Sequence, residues 1–177
     1  MNKVFIKLLL LLFASAAPFM SSAQKRFTDI TEEAGINHEF QVFEGMFGGG
    51  ACVFDFDNDG FEDVFITSGM KDDVLYKNNG DGTFTNVYLG SGLEASREFV
   101  TQGAASADVN RDGFRDLLVT TITTKAEKKV IPRASNLLFL NNGDGTFRDV
   151  SEAYGFNERS TFSTAASFGD FNADGFP

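Results

Sequence analysis

The sequence has little of the residues that build disulfides and nucleophilic catalytic centres. It contains one cysteine, one histidine, three prolines and no tryptophan among 177 residues. A single cysteine, Cys52, forms no intramolecular disulfide, so the chain is not a disulfide scaffold. His38 has no serine or cysteine close to it in the sequence, and Cys52 lies in an apolar segment that favours an inert thiol. We therefore predict no enzymatic centre in these residues, and a fold stabilised by packing, bound metal or both.

The sequence also lacks an apolar run long enough to span a bilayer, which takes about 20 residues. The run Leu8–Phe13 follows Lys3 and Lys7, and small residues lead from it to Ala23. This order is typical of a secretory signal peptide. We predict a signal peptide over 1–23, no transmembrane segment, and a secreted, extracellular or periplasmic location.

Positive charge is scarce. The whole chain has a net charge of −10, and without the leader 13 basic residues face 25 acidic ones. A surface of this sign repels nucleic acid and anionic lipid, so neither is a predicted partner. Disorder is also disfavoured, because 21 phenylalanines and 42% hydrophobic residues supply a core.

Three short patterns repeat along the chain. The first is an Asp-rich loop between apolar segments, at 53–67, 106–120 and 167–177. The second is the turn NNGDGTF, at 78–84 and 141–147, where Asn and Gly accept the positive φ that reverses a chain between strands. The third begins at an aromatic residue and ends at a Gly-apolar pair, as in FTDITEEAGI, FTNVYLGSGL and FRDVSEAYGF. Their constant order predicts a repeated unit of four short antiparallel strands.

Such a unit buries its faces only by stacking on its neighbours, which is the architecture of a β-propeller. We predict an all-β fold, a partial propeller of four-stranded antiparallel blades with Ca-binding hairpin loops. The predicted divisions after the leader are an N-terminal strand segment at 24–44, blade 1 at 45–98, blade 2 at 99–158 and a truncated blade 3 at 159–177. The insertion at 123–135 is predicted to be a solvated loop, with partner binding as the minority alternative.

The Asp-rich loops have the spacing of a hard-cation site. Side-chain oxygens fall at loop positions 1, 3, 5 and 9, and a glycine at position 6 permits a sharp turn. The residue at position 7 is expected to offer its backbone carbonyl. Ca²⁺ takes 6–8 such oxygens, whereas Mg²⁺ demands a stricter shell. The predicted ligands are Asp55, Asp57, Asp59, Phe61 and Asp63 in loop 1, Asp108, Asn110, Asp112, Phe114 and Asp116 in loop 2, and Asp170, Asn172 and Asp174 in loop 3.

These loops are not EF-hands, because position 12 is Ile66 or Val119 where an EF-hand needs a bidentate Glu. Loop 2 has three carboxylates where loop 1 has four, which predicts weaker Ca²⁺ binding at loop 2. The alternative is that the loops are acidic turns without a metal. Recurrence at matching places in a repeat favours metal binding.

The segments DFDNDGFEDVFI, DVNRDGFRDLLV and LFLNNGDGTFRDVS resemble the FG-GAP/VCBS repeats of integrin-alpha-like β-propellers. Within these, the chain is most similar to the secreted cartilage acidic protein and ASPIC/UnbV group. The resemblance implies a propeller with Ca²⁺ in its blade hairpins, held by the residues of loops 1 and 2 named above.

Two functions are consistent with these features. The first is a secreted calcium-binding propeller that acts in adhesion or in recognition of an extracellular protein or carbohydrate. The alternative is the propeller scaffold of a secreted polysaccharide-active enzyme whose catalytic part lies downstream.

Overall fold

The computed structural model describes residues 27–42, 49–125, 134–158 and 161–177. Eight strands form two four-stranded antiparallel sheets, in the orders β1-β2-β3-β4 and β5-β6-β7-β8. Their bounds are β1 Ala51–Phe54, β2 Asp63–Ile66, β3 Val74–Asn78, β4 Phe84–Asn86, β5 Phe99–Ala107, β6 Asp116–Thr124, β7 Leu137–Asn141 and β8 Phe147–Asp149. The prediction of a partial propeller with four-stranded antiparallel blades is confirmed. The predicted signal peptide at 1–23 lies outside the described residues.

Each sheet is built in the same way from its hairpins. The Asp-rich loop joins the first and second strands, so that Phe54 lies opposite Asp63. The NNGDGT turn joins the third and fourth strands, with Asn78 opposite Phe84 and Asn141 opposite Phe147. The Asp-rich pattern therefore marks the hairpin between the first and second strands of each blade, the inner hairpin. The NNGDGT pattern marks the hairpin between the third and fourth strands, the outer hairpin.

Aromatic residues fill the space between the two blades. Phe54 lies 6.5 Å from Phe147 between ring centroids, and Phe56 lies 6.1 Å from the same ring. Burying one such side chain contributes about 1.5–3 kcal/mol. The buried cluster crosses from one sheet to the other; its members are Cys52, Phe54, Phe56, Phe65, Leu75, Tyr88, Leu93, Leu117, Val119, Leu137, Phe139 and Phe147.

Glycines let the first strands of the blades approach closely, as the Gly-rich segment before β1 predicts. A Cβ atom on Gly50 would lie 2.8 Å from the Gln102 carbonyl oxygen and from the Gly103 Cα. A Cβ on Gly103 would in turn lie 2.8 Å from the Thr164 carbonyl oxygen. The same contact thus recurs from each blade to the next.

Two short 3-10 helices depart from the all-β expectation. They cover Leu93–Glu98 and Phe156–Glu158, and each follows the fourth strand of its blade. Gly92 precedes the first with φ 85°, a left-handed conformation that favours glycine. Leu93 is fully buried in the core, so this helix covers the space between the blades. None of the helices in the described ranges is long and apolar enough to cross a membrane.

The N-terminal segment differs from the strand predicted at 24–44. Its described part, 27–42, contains a turn over 31–35 and one isolated bridge, Gln41–Gly69. The turn reproduces the one that follows β8: Gly35 N–H donates to Glu32 O and Gly155 N–H to Glu152 O, at 3.1 and 3.0 Å. Residues 31–36 therefore form the turn that follows an outer strand, without the strand itself. No strand pairs with residues 27–30 within the described ranges, and Phe27 is fully exposed.

Contacts with blade 2 hold the last described segment, 161–177. Ala134 and Thr161 form an antiparallel bridge, with N···O distances of 3.1 and 2.9 Å. The third Asp-rich loop lies within this segment. Of the predicted insertion loop at 123–135, residues 126–133 lie outside the described ranges.

Candidate metal centre

The three Asp-rich loops adopt one backbone conformation. At position 4, Asn58, Arg111 and Ala173 have φ of 58°, 61° and 58°. At position 6, Gly60 and Gly113 have φ of 90° and 91°, and Gly175 matches them at 88°. Glycine is required there because side chains rarely adopt such values. The three loops therefore share one turn conformation, with left-handed backbone at positions 4 and 6.

The Asp at position 1 closes each coil by accepting backbone hydrogen bonds. Asp55 Oδ2 accepts from Gly60 N–H at 2.8 Å, and Asp108 Oδ2 accepts from Gly113 N–H at 2.9 Å. Asp170 Oδ2 accepts from Gly175 N–H at 2.6 Å. These bonds preorganise the loops, because each carboxylate is fixed before any ligand arrives.

The Asp at position 9 connects the loop to the sheet. Asp63 accepts from Phe56 N–H at 3.1 Å and from Asn78 N–H at 2.7 Å. Asp116 repeats this with Val109 and Asn141 at 2.8 and 2.9 Å. Both side chains are fully buried, and burial raises the pKa of their carboxyls although these hydrogen bonds oppose the shift. Each therefore fixes the loop against the third strand.

In loop 1 the acidic side chains converge on one point. One oxygen from each of Asp55, Asp57 and Asp63 lies within 4.8 Å of the others. Asp57 Oδ1 is buried and has no hydrogen-bond partner. A buried carboxylate oxygen without a partner is costly unless a cation satisfies it. The residues present therefore fit a hard divalent cation.

Lys77 also reaches this cluster, which the spacing of the acidic residues did not reveal. It lies on β3, and its ammonium donates to Asp57 Oδ2 and Asp59 Oδ2. Asp59 thus pairs with Lys77 rather than joining the other three acids. Burial disfavours the ammonium, but its hydrogen bonds to Asp57 and Asp59 prevail and raise the pKa of Lys77. This contact spans 20 residues of sequence, so only the hairpin register reveals it.

Loop 2 has a different arrangement of charge. Asn110 Nδ2 donates to Asp112 Oδ2 at 2.7 Å, and Asp112 Oδ1 accepts from Phe114 N–H at 2.9 Å. Loop 3 repeats the first of these bonds between Asn172 and Asp174 at 2.8 Å. Within the described ranges, three acidic groups converge only at loop 1. An amide at position 3 therefore replaces the carboxylate that Asp57 supplies in loop 1.

Successive loops are joined through position 4. Asn58 Nδ2 donates to the Gly113 carbonyl at 3.1 Å, and Arg111 Nε donates to the Gly175 carbonyl at 2.9 Å. The Arg111 guanidinium also lies 3.8 Å from the centroid of the Phe176 ring. The loops thus form a row in which the position-4 side chains of loops 1 and 2 donate to the position-6 glycine carbonyl of the following loop.

A family model for the FG-GAP-like repeat matches residues 55–119 and 127–177, more than half of the chain. The chain belongs to the FG-GAP-like repeat family. No curated protein matches it. The first matched stretch begins at Asp55, the first residue of loop 1, and the second includes loop 3.

In these FG-GAP-like repeats the phenylalanine at position 7 connects the two hairpins of a blade. A Cβ on Gly80 would lie 2.7 Å from the Phe61 ring, and one on Gly143 would lie 2.8 Å from the Phe114 ring. The rings of Phe61 and Phe114 therefore pack on the NNGDGT turns, whose glycines leave room for them. The expectation that their carbonyls bind metal stays a prediction.

The structure corrects the expectation that His38 has no serine beside it. Ser68 Oγ lies 3.5 Å from His38 Nδ1, a contact that 30 residues of sequence separation concealed. Ser68 is fully buried, and partial burial lowers the pKa of His38. The pair therefore packs the N-terminal segment onto the loop after β2. Cys52 is buried in the core, where burial raises the pKa of its thiol and disfavours the reactive thiolate.

Proposed function

We propose that this FG-GAP-like chain forms part of a calcium-stabilised extracellular propeller that recognises a protein or carbohydrate ligand in adhesion. Its Asp-rich loops supply the oxygen ligands that Ca²⁺ prefers. The observation that carries the calcium assignment is the buried Asp57 Oδ1 atom, which has no hydrogen-bond partner. The Asp57 carboxylate lies next to those of Asp55 and Asp63. The narrower relation to the cartilage acidic protein and ASPIC/UnbV group stays a prediction.

In loop 1 the ion would be held by Asp55, Asp57, Asp59 and Asp63, with the carbonyl of Phe61. In loop 2 the corresponding residues are Asp108, Asn110, Asp112, Phe114 and Asp116, and in loop 3 they are Asp170, Asn172 and Asp174. Bound Ca²⁺ supplies positive charge that offsets the crowded carboxylates. Because the loops coil only in the folded state, binding would stabilise the fold by mass action.

Recognition is favoured over catalysis by the character of the described side chains. The one histidine contacts a serine that is buried away from solvent, and the one cysteine is buried. The aspartates at position 1 of the three loops accept backbone hydrogen bonds. Secretion through the predicted leader would bring these loops into the millimolar range of Ca²⁺ at which extracellular modules bind it.

Isothermal titration calorimetry with CaCl₂ tests the proposal on the full chain. We expect Asp57→Asn to weaken binding at loop 1 by at least about tenfold, since it removes one anionic ligand without changing size. Glu33→Gln is the matched control, because Glu33 is exposed and lies outside the loops. No heat of binding at about 5 mM Ca²⁺, above the weakest extracellular sites, would refute the calcium assignment.

The recognition part needs a separate measurement. Binding of the calcium-loaded chain to an array of glycans and matrix proteins should be lost when EDTA removes the ion, because the loops position the blade surfaces. If EDTA leaves binding unchanged, recognition of the ligand does not depend on bound Ca²⁺.

A further inference from the structure

We propose that Lys77 is a built-in competitor for the cation at loop 1, so that this loop exchanges its lysine for Ca²⁺ while loop 2 binds without such a competitor. This inference rests on the proposed calcium binding, and it concerns one residue that the metal-loop pattern does not contain.

Lys77 occupies two of the four carboxylates of loop 1. Its ammonium contacts Oδ2 of Asp57 and of Asp59, while the second oxygen of Asp57 is left without a partner. The side chains of Lys77 and Asp57 are 30% and 23% exposed, so water screens this contact only in part. An ammonium and a divalent cation repel each other at the same oxygens. Ca²⁺ that takes both carboxylates must therefore displace Lys77.

The second blade carries no such group at the equivalent position. Leu140 on β7 corresponds to Lys77 on β3, and it is buried in the sheet. The two arginines of loop 2 are directed elsewhere: Arg111 donates to Gly175 O, and Arg115 donates to Ser106 O at 3.5 Å. Among the described contacts, no side-chain cation meets a carboxylate of loop 2.

This contact changes the expected order of affinities. Counting ligands in the sequence favours loop 1, which has four carboxylates against three. Lys77 offsets one of the four ligand carboxylates of loop 1, which leaves three uncompensated, the number of ligand carboxylates in loop 2. Breaking the contacts of the ammonium with Asp57 and Asp59 also costs free energy when Ca²⁺ binds at loop 1. Loop 2 has no such contacts to break. Loop 1 therefore loses the higher affinity that its larger number of carboxylates predicts.

Calorimetry on a charge-matched pair of variants tests the competition. Lys77→Met keeps the length of the side chain but removes the ammonium, and we expect it to tighten Ca²⁺ binding at loop 1 on the order of tenfold, since two partly screened ion pairs are removed. Lys71→Met is the control, because it removes the same charge from an exposed pair with Glu39. Its Ca²⁺ affinity should change less than about twofold.

Acetylation of the wild-type chain tests the exchange without any variant. We expect the rate at which an amine-acylating reagent modifies Lys77, read by mass spectrometry, to rise when Ca²⁺ replaces EDTA, while the rate at Lys71 stays constant. If Ca²⁺ binds but neither the Lys77→Met affinity nor the Lys77 rate rises, the inference is overturned and the calcium assignment stands. If Ca²⁺ binds to neither the wild type nor Lys77→Met, the calcium assignment itself fails.

Discussion

At the residue scale, Asp73 in the first blade and Asn136 in the second occupy equivalent positions, directly before the third strand. Asp73 Oδ1 accepts from Ser68 N–H at 2.9 Å, and Asn136 Oδ1 accepts from Thr121 N–H at 3.0 Å. The second atom of each side-chain head group meets a serine hydroxyl: Oδ2 accepts from Ser96, and Nδ2 donates to Ser163. An acid and an amide thus satisfy the same buried network.

This equivalence predicts opposite outcomes for two substitutions at Asp73. Asp73→Ala leaves the buried donors Ser68 N–H, Ser96 Oγ and Thr101 Oγ1 without their acceptor, and we expect a loss of about 2–4 kcal/mol in the free energy of unfolding. Asp73→Asn keeps Oδ1 for two of these donors and should cost less than about 1 kcal/mol. Urea denaturation measures both. Equal losses would mean that the charge, and not the hydrogen-bond geometry, is essential.

Comparing the wild type with Asp73→Asn measures the effect of Asp73 titration on stability. Burial raises its pKa above the ordinary value of 3.8, despite bonds from Ser96, Thr101 and Ser68 and the nearby charge of Lys125. Because the folded state binds this proton more tightly, its stabilising contribution is complete below the unfolded pKa and is lost as pH rises through the folded one. Asp73→Asn does not titrate. Its unfolding free energy should therefore improve relative to the wild type as the pH rises above the ordinary pKa of 3.8.

At the element scale, the backbone at Gly50, directly before β1, meets β5 of the next blade without a side chain between them. We expect Gly50→Ala to destabilise the protein by about 1–3 kcal/mol, because the new Cβ would overlap backbone atoms of Gln102 and Gly103 that cannot move independently. Gly169→Ala is the matched control, since nothing lies within 4 Å of its Cβ position and its φ is not left-handed. A change at Gly50 no larger than the one at Gly169 would contradict the close packing of the strands.

The hairpins of each blade were predictable because their determinants are local. Asn and Gly at fixed places specify the outer turn, and the spacing of Asp and Gly specifies the inner loop. The contact between Lys77 and Asp57 was not predictable in this way, because it depends on the register of β3 against β2. The links from Asn58 to Gly113 and from Arg111 to Gly175 cross between repeats, and no spacing within one repeat encodes them.

The N-terminal segment shows the limit of a local pattern. Residues 27–36 repeat the sequence of an outer strand and its turn, and the turn forms as it does after β8. The strand itself does not form, because residues 27–30 have no neighbouring strand within the described ranges. A strand needs a neighbouring strand for its hydrogen bonds, whereas a turn forms its hydrogen bonds locally. Here the Thr31 N–H donates to Asp29 Oδ1 at 3.0 Å.

At the scale of the whole molecule, negative charge is concentrated in the row of loops. Hydrogen bonds from Asn58 and Arg111 join each of the first two loops to the loop that follows. Under the proposed calcium binding, salt and Ca²⁺ would relieve the repulsion between these carboxylates by different routes. Salt screens exposed carboxylates without ordering them, whereas a bound ion must satisfy the buried oxygen of Asp57.

This difference predicts how the melting temperature responds to ions. About 1 mM CaCl₂ should raise it by roughly 3–6 °C for a site filled tenfold above its Kd, since such binding adds about 1.4 kcal/mol. NaCl at matched ionic strength should raise it by less than about 1 °C, because so little salt barely changes screening. The double variant Asp57→Asn with Asp112→Asn should lose the response to CaCl₂ and keep the response to high salt. Scanning calorimetry measures both shifts in melting temperature. Equal shifts with CaCl₂ and matched NaCl would mean that the loops are acidic turns without a bound metal.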